Sequence, residues 1–120
     1  MSDPILTIRL PLPPAILSPN ARCHWAKKSA AVKKARKAAK LATLAAITGW
    51  EKPAPTHYTL HFSFPTALRR DDDNAAASFK SYRDGIADAL GIDDHSLKMS
   101  ASPEMLVNRT DPHLTVNLYV

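Results

Sequence analysis

The stretch from Trp25 to Ile47 contains neither proline nor glycine, and alanine is its commonest residue. Because alanine has the highest intrinsic helix propensity, this stretch is predicted to form one long helix that ends before Gly49. Small apolar side chains lie along one side and allow close packing against a sheet or another helix: Val32, Ala35, Ala39, Ala42 and Ala46. Basic side chains lie within an arc of about 160° on the other side: Lys33, Lys34, Arg36, Lys37 and Lys40.

Positive charge is concentrated in this part of the chain. The net charge is +5, and residues 27–40 contain seven bases without one acid. A solvated face is the ordinary explanation for lysines on a helix. Such an imbalance instead favours contact with nucleic acid, because phosphate neutralisation is the largest sequence-independent contribution to its binding. The predicted DNA-binding residues are Lys27, Lys33, Lys34, Arg36, Lys37 and Lys40, with Arg69 and Arg70 beside an acidic run.

Strict alternation of apolar and polar residues predicts strands before and after the long helix in the sequence. Residues 57–64 alternate throughout, as HYTLHFSF, with Tyr58, Leu60, Phe62 and Phe64 on one face. Residues 5–11 and 113–120 alternate in the same way, and the last apolar residue of the second segment is Val120. A further short strand is predicted from the spacing of Leu97, Met99 and Ala101.

A second helix is predicted from Asn74 to Leu90, because apolar residues recur there at helical intervals, with Asp73 as its N-cap and Gly91 at its end. The element order is therefore β-α-β-α-β-β. This order predicts an α+β fold, an α/β sandwich in which two helices pack on a small mixed sheet, with residues 1–120 in a single domain.

A proline-rich segment, PLPPAILSPNARCHW, links the first strand to the long helix. Four prolines fall within residues 11–19 and exclude regular structure there, so the segment is predicted to be a stiff loop. It is either a structural connector or a DNA-contacting loop that uses Asn20, Arg22, His24 and Trp25, because polar donors and an aromatic ring suit phosphate contact and base stacking.

Several features indicate a cytosolic protein. Cys23 is the single cysteine, so neither an internal disulfide nor a cysteine-rich zinc site is expected. No apolar run approaches the length that spans a membrane, so no membrane partner is expected. The first ten residues, MSDPILTIRL, lack the charged start and long apolar stretch of a signal peptide.

Three consecutive aspartates follow two arginines in the segment RRDDDN, residues 69–74. In extended backbone, residues two apart project to the same side, so Asp71 and Asp73 are predicted to face one point and Asp72 to face away. Past the second helix, Asp93 or Asp94 is in a position to complete a set of three carboxylates. Oxygen ligands suit a hard cation, Mg²⁺ or Mn²⁺, which activates water in phosphodiester hydrolysis. The alternative is a solvated acidic loop.

Lys80 follows Asp73 by seven residues and is therefore predicted to lie on roughly the same face of the second helix. An ammonium group in this place suits contact with a scissile phosphate or with the charge that develops in the transition state. The alternative is an ion pair with Asp84, four residues further on, which contributes only tenths of a kcal/mol.

Taken in order, these pieces resemble the RusA-type crossover junction endodeoxyribonucleases, which resolve Holliday junctions. The early strand runs into a proline-rich segment, RRDDDN matches the family's R-D-x-D-N, and FKSYRDGIADALG is followed by IDD. The resemblance covers most of the chain and is moderately specific, and the version here looks like those of phage and prophage members.

The resemblance implies catalytic carboxylates that bind Mg²⁺ or Mn²⁺ at Asp71, Asp73 and Asp94, and a catalytic lysine at Lys80. Asp93 is the alternative to Asp94, because the preceding loop differs in length from that of the family. Lys80 lies farther from the D-x-D-N than the family's lysine does. The resemblance also implies a homodimer, since a four-way junction is roughly two-fold symmetric and opposing strands must both be cut.

Two other functions are compatible with the same residues. The first is a non-catalytic protein of this fold that binds branched DNA, because a fold is often kept when activity is lost. The second is a small interaction protein whose charged faces meet protein partners. Both predict that no DNA is cut with any metal ion.

Overall fold

The computed structural model describes residues 3–49, 51 and 53–120. The helices are α1 (Trp25–Ala46), α2 (Asp72–Ser78) and α3 (Lys80–Leu90). The strands are β1 (Leu6–Leu10), β2 (His57–Phe64), β3 (Lys98–Met99), β4 (Glu104–Val107) and β5 (His113–Tyr119). Single 3₁₀ turns lie at Ala15–Leu17 and Asp94–Ser96. Helices on a mixed sheet confirm the α+β prediction. No helix in the described ranges is long and apolar enough to cross a membrane.

The five strands form one sheet in which β5 lies between β1 and β2 and is antiparallel to both. Both short strands pair with the same edge of β2 in parallel, β3 beside its first residues and β4 beside its last four. The segment RRDDDN, which we call the acidic segment, begins after a link of four residues, 65–68, from the end of β2. It therefore follows the end of β2 that pairs with β4.

The core lies between the helices and one face of the sheet. The alternation predicted for β1, β2 and β5 is confirmed, because the inward-facing residues are buried: Leu6, Ile8, Leu10, Tyr58, Leu60, Phe62, Leu114, Val116 and Leu118. Ala35, Ala39 and Thr43 of α1 are buried as well, and α1 packs against α3 and β1. The small side of α1 thus allows the close helix contact that its alanines predict.

The prediction of one helix from Asn74 to Leu90 is wrong in two details. The helical region begins at Asp72, and it is divided into α2 and α3 at Phe79. Phe79 is 1% exposed, and its ring centroid lies 5.1 Å from that of Tyr58 on the sheet. We attribute the division to this tertiary contact, which orients the Phe79 ring into the core.

The prediction for the last third of the chain is also partly wrong. The short strand around Leu97 and Met99 is only two residues long, and a separate strand, β4, follows it. Leu97 is buried, whereas Met99 is exposed, because β3 lies at the sheet edge. At the end of β5, Val120 is 72% exposed and does not join the core.

Candidate functional site

The acidic segment forms a concave surface between β2 and α2. A cavity of about 610 Å³ is lined by Arg69, Arg70, Asp71, Asp72 and Asp73. The three carboxylates are exposed, so they keep most of their hydration and avoid the cost of burying like charges. The site is therefore an open acidic surface that Arg69 and Arg70 also line, rather than an enclosed pocket.

Asp71, rather than Asp73, is the N-cap of α2. Its Oδ1 accepts hydrogen bonds from the backbone N–H of Asp73 at 2.8 Å and of Asn74 at 3.1 Å. Asp72 and Asp73 consequently lie in the first helical turn, where residues two apart do not share a side. The prediction that Asp72 faces away is wrong, since it lines the same cavity as its neighbours.

Arg70 is held in place by contacts with its own loop. Its guanidinium carbon lies 3.8 Å from the ring centroid of Phe64. Its Nη1 donates to the carbonyl oxygens of Thr66 and Leu68 at 3.0 and 2.9 Å, and its Nη2 donates to the hydroxyl of Thr66 at 3.0 Å. Arg69 is exposed. The Arg69 side chain thus lies in solvent, whereas the Arg70 guanidinium is a fixed part of the site.

Lys80 and Asp94, two of the predicted catalytic residues, belong to one charge network formed by α3 and the turn after it. Lys80 Nζ lies 3.4 Å from Asp84 Oδ2, and Arg83 Nη2 lies 3.7 Å from Asp84 Oδ1. Arg83 Nη2 also donates to Asp94 Oδ2 at 3.3 Å. Lys80 therefore pairs with Asp84, which is the alternative that the sequence predicts. Asp94 is linked to Lys80 through Arg83 and Asp84.

The middle of this network is buried. Asp84 Oδ1 and Arg83 Nε are shielded from solvent and have no hydrogen-bond partner within the described residues. Burial raises the pKa of Tyr58 above its usual range, and nearby Arg83 partly opposes that rise. The sequence predicts the contact of Lys80 with Asp84 from their four-residue spacing, but it gives no signal that Arg83 joins Asp84 to Asp94.

Asp71, Asp73 and Asp94 do not form a single cluster. In the part of the chain that the structure describes, three metal-ligating side chains lie within 4.8 Å of one another only at Asp93, Asp94 and His95. These three are neighbours in one turn, in which the Asp93 side chain accepts from the backbone N–H of His95 at 2.9 Å. The carboxylates at the N-terminus of α2 and those of this turn after α3 are therefore two separate groups.

The acidic surface has the right donor chemistry for a hard divalent cation. All of its negative groups are carboxylates, which are the ligands that Mg²⁺ and Mn²⁺ prefer in proteins. The capping hydrogen bonds use Asp71 Oδ1 and leave its second oxygen available. By donor type, the carboxylates at the N-terminus of α2 thus fit such an ion.

The predicted DNA-binding lysines of α1 are exposed, namely Lys27, Lys33, Lys34, Lys37 and Lys40. Arg36 differs from them, because its Nε and Nη2 donate to the two carboxylate oxygens of Asp88 on α3, at 2.6 and 2.8 Å. Arg36 is thus occupied in joining two helices. The lysines form a basic row on the outer side of α1, which we call the lysine row.

The pair between Arg36 and Asp88 gives a prediction about pH. Hydrogen bonds from Arg36 hold the pKa of Asp88 below its usual range. A depressed carboxyl pKa stabilises the fold above the unfolded value of about 3.9, and this contribution is lost as pH falls through the folded value. In urea titrations, wild type is expected to exceed Asp88→Asn in stability at pH 7, and the difference should shrink below about pH 4. Parallel pH profiles of the two proteins would contradict this assignment.

The chain is similar in sequence to a protein of Xylella fastidiosa. A protein of Xylella fastidiosa strain Temecula1, described as an uncharacterized protein, is 52% identical over 91 residues, which cover 73% of this chain and 60% of the relative. The chain thus spans less than two thirds of that relative's length. No protein-family model matches the chain. No solved structure matches it either.

Proposed function

We propose that this chain is a divalent-metal-dependent DNA endonuclease that cuts branched DNA, as the RusA-type resolvases do, and that it acts in the cytoplasm. The observation that carries the proposal is one cavity lined by three carboxylates and two guanidinium groups, those of residues 69–73. Carboxylates attract the metal ion, and guanidinium groups attract the phosphate that must approach it.

Asp71 and Asp73 are the proposed metal ligands, and Asp94 is the third carboxylate that the family resemblance implies. When bound, Mg²⁺ or Mn²⁺ supplies activation of water and stabilisation of charge on the phosphate. Arg69, which is exposed, is suited to pair with the incoming phosphate. Lys80 is proposed to exchange its pair with Asp84 for the DNA backbone, because Lys80 is exposed, its Nζ lies 3.4 Å from Asp84, and Arg83 remains beside Asp84 when Lys80 leaves.

The lysine row is the proposed DNA-binding surface. Its members are exposed and have no acidic neighbour in sequence, so they attract a polyanion along one side of α1. Arg36 is left out of this assignment, since Asp88 occupies it. A homodimer is part of the proposal, because two copies related by a two-fold axis present two sites to the opposing strands of a four-way junction.

The lysine row predicts a change in the salt dependence of DNA binding. Replacing Lys33, Lys34, Lys37 and Lys40 together by alanine is expected to reduce the slope of log K against log salt concentration by about three to four, because each phosphate that a lysine neutralises adds roughly 0.9 to that slope. Fluorescence anisotropy with a labelled junction measures this slope. Arg9→Ala is the control, because Arg9 lies on β1 and pairs with Asp111. Equal slopes for the quadruple variant and wild type would remove α1 from the DNA interface.

One experiment tests the proposed function. A labelled four-way junction and a matched linear duplex are each incubated with the protein, with Mg²⁺ and with EDTA, and are examined for band shifts and for nicks. The proposal predicts a shift of the junction and paired nicks in opposing strands, with Mg²⁺ only. Nicking in EDTA, or equal nicking of both substrates, would contradict it.

A non-catalytic branched-DNA-binding protein of the same fold is the second candidate. It is favoured by the separation of the carboxylates, because in the described residues Asp94 groups with Asp93 and His95, and Asp71 and Asp73 are not part of that group. This candidate predicts a salt-sensitive junction shift and no nicks with Mg²⁺ or Mn²⁺. The same gel therefore separates the two functions.

A further inference from the structure

A second cavity adjoins the acidic surface and has a different character. Its volume is about 500 Å³, and it shares Arg70 and Asp71 with the first cavity. The proline-rich segment forms one wall, the end of β2 forms another, and α2 forms the third. The lining is mainly apolar, unlike the acidic surface beside it. This apolar cleft therefore lies directly next to the proposed metal ligands.

One planar group of the apolar cleft is fixed in position. The Arg70 guanidinium, which lines the cleft, lies 3.8 Å over the Phe64 ring and is held there by its loop hydrogen bonds. Phe62 is 1% exposed and stacks with Phe64, so the phenylalanine rings support the guanidinium from the core. Pro13 and Pro14 also line the cleft, and they restrict its backbone. A planar guanidinium is a surface on which nucleobases stack.

α2 contributes two of the polar residues that line the cleft, beside Ser18, Arg70 and Asp71. Asn74 is held in position because its backbone N–H donates to the Asp71 cap at 3.1 Å. It lines the cleft and is half-buried. Ser78 also lines the cleft, but its hydroxyl donates to the carbonyl of Ala75 at 2.7 Å. Asn74 thus supplies an adjacent donor and acceptor, the pattern that pairs with the edge of a base.

We propose that the apolar cleft holds one unstacked nucleobase next to the phosphate that is cut, and that Asn74 reads its edge. The inference rests on the proposed function and adds a determinant of the cleavage sequence. Arg69 and Arg70 complement the phosphate of that nucleotide, and the apolar walls complement its base. The proline-rich segment, which the proposed function leaves without a part, becomes the wall that fixes the width of the cleft.

A pair of variants on α2 tests the cleft. Ala75 lines it and is half-buried, whereas Ala77 is exposed and does not line it. Leucine has nearly the helix propensity of alanine, so Ala75→Leu fills the cleft and Ala77→Leu serves as the matched control. Binding is measured in EDTA to four-way junctions that carry 2-aminopurine at positions flanking the branch point. Cut sites are mapped with Mg²⁺ on junctions with randomised nucleotides at those positions.

Wild type and Ala77→Leu are expected to change the 2-aminopurine fluorescence at one position, and Ala75→Leu is expected to abolish this change while overall affinity stays within a few-fold. The preference between the best and worst nucleotide at the cut site should fall by at least about tenfold in Ala75→Leu and in Asn74→Ala. Equal results for the two leucine variants would overturn the inference.

The outcomes also separate this inference from the proposed function. Cutting by wild type without any nucleotide preference would overturn the nucleobase cleft and leave the nuclease in place. A fluorescence change that is lost only in Ala75→Leu, without cutting by any protein, would support the cleft and overturn the nuclease. Absence of a fluorescence change at every position in wild type would overturn the cleft whether or not the junction is cut.

Discussion

Replacing Asp73 by asparagine is expected to lower metal-dependent cleavage of a four-way junction by about 10³-fold, because a metal ligand that stabilises charge on the phosphate contributes several kcal/mol to the transition state. DNA binding should remain within a few-fold of wild type, since the lysine row is unchanged. Single-turnover cleavage and anisotropy measure the two quantities. The substitution is mild for the fold, because Asp73 is exposed and its side chain caps nothing.

Asp72→Asn is the matched control, and it is expected to change cleavage by only a few-fold. All three aspartates line one cavity, and only the family resemblance distinguishes Asp72 from the other two. The comparison therefore tests that distinction. Asp71→Asn should also abolish cleavage, but it changes the cap of α2 as well, and its unfolding must be measured alongside. Cleavage at the wild-type rate by Asp73→Asn would contradict the assignment of this residue.

Replacing Gly85 by alanine is expected to destabilise the fold by about 3 kcal/mol, at the upper end of the usual cost of overpacking, and to lower the melting temperature by about 10 °C. Helix propensity alone predicts the opposite, because alanine exceeds glycine by about 1 kcal/mol in a helix interior. Here α1 approaches α3 so closely that a Cβ on Gly85 would overlap the carbonyl oxygen of Arg36 and lie 2.9 Å from Ala39 Cβ. Thermal unfolding followed by circular dichroism measures the effect.

Gly91→Ala is the control for this prediction. Gly91 ends α3 with φ of +69°, and a Cβ there meets nothing within 4 Å. Its expected cost is therefore the backbone strain alone, about 1 kcal/mol. If Gly85→Ala melts at or above the temperature of Gly91→Ala, the close contact between α1 and α3 is not as described.

The elements that the sequence predicts best are those whose pattern comes directly from burial on one side. β1, β2 and β5 alternate because one face of the sheet packs against helices and the other faces outwards. The bounds of α1 agree to within one residue, because its sequence contains no helix breaker and proline-rich segments precede and follow it. For these strands and for α1, the local sequence pattern is therefore sufficient to predict the element and its bounds.

The division of the second helical region depends on tertiary contacts that a local pattern does not carry. No proline or glycine marks the break at Phe79, whose ring packs against Tyr58 from a distant strand. β4 was missed for a similar reason, because an edge strand whose residues are mostly exposed shows little apolar alternation.

The candidate site was predictable in its residues and less so in its arrangement. Asp71 and Asp73 are both good N-caps by residue type, so the sequence alone does not decide where α2 begins. The position of Asp94 depends on the packing of α3 and the turn after it, and the structure places this residue against Arg83 rather than in a cluster with the loop carboxylates. The eleven-residue separation of Arg83 and Asp94 in sequence does not predict that their side chains pair.

Metal binding by the acidic surface is measured most directly by titrating Mn²⁺ into the protein and following the free ion by electron paramagnetic resonance. Three proteins are compared: wild type, Asp71→Asn/Asp73→Asn, and Asp93→Asn, which alters the separate group at Asp93–His95. We predict that the double variant binds Mn²⁺ at least about tenfold more weakly than wild type, and that Asp93→Asn binds it as wild type does. Binding that is unchanged in the double variant and lost in Asp93→Asn would contradict a metal site at the N-terminus of α2.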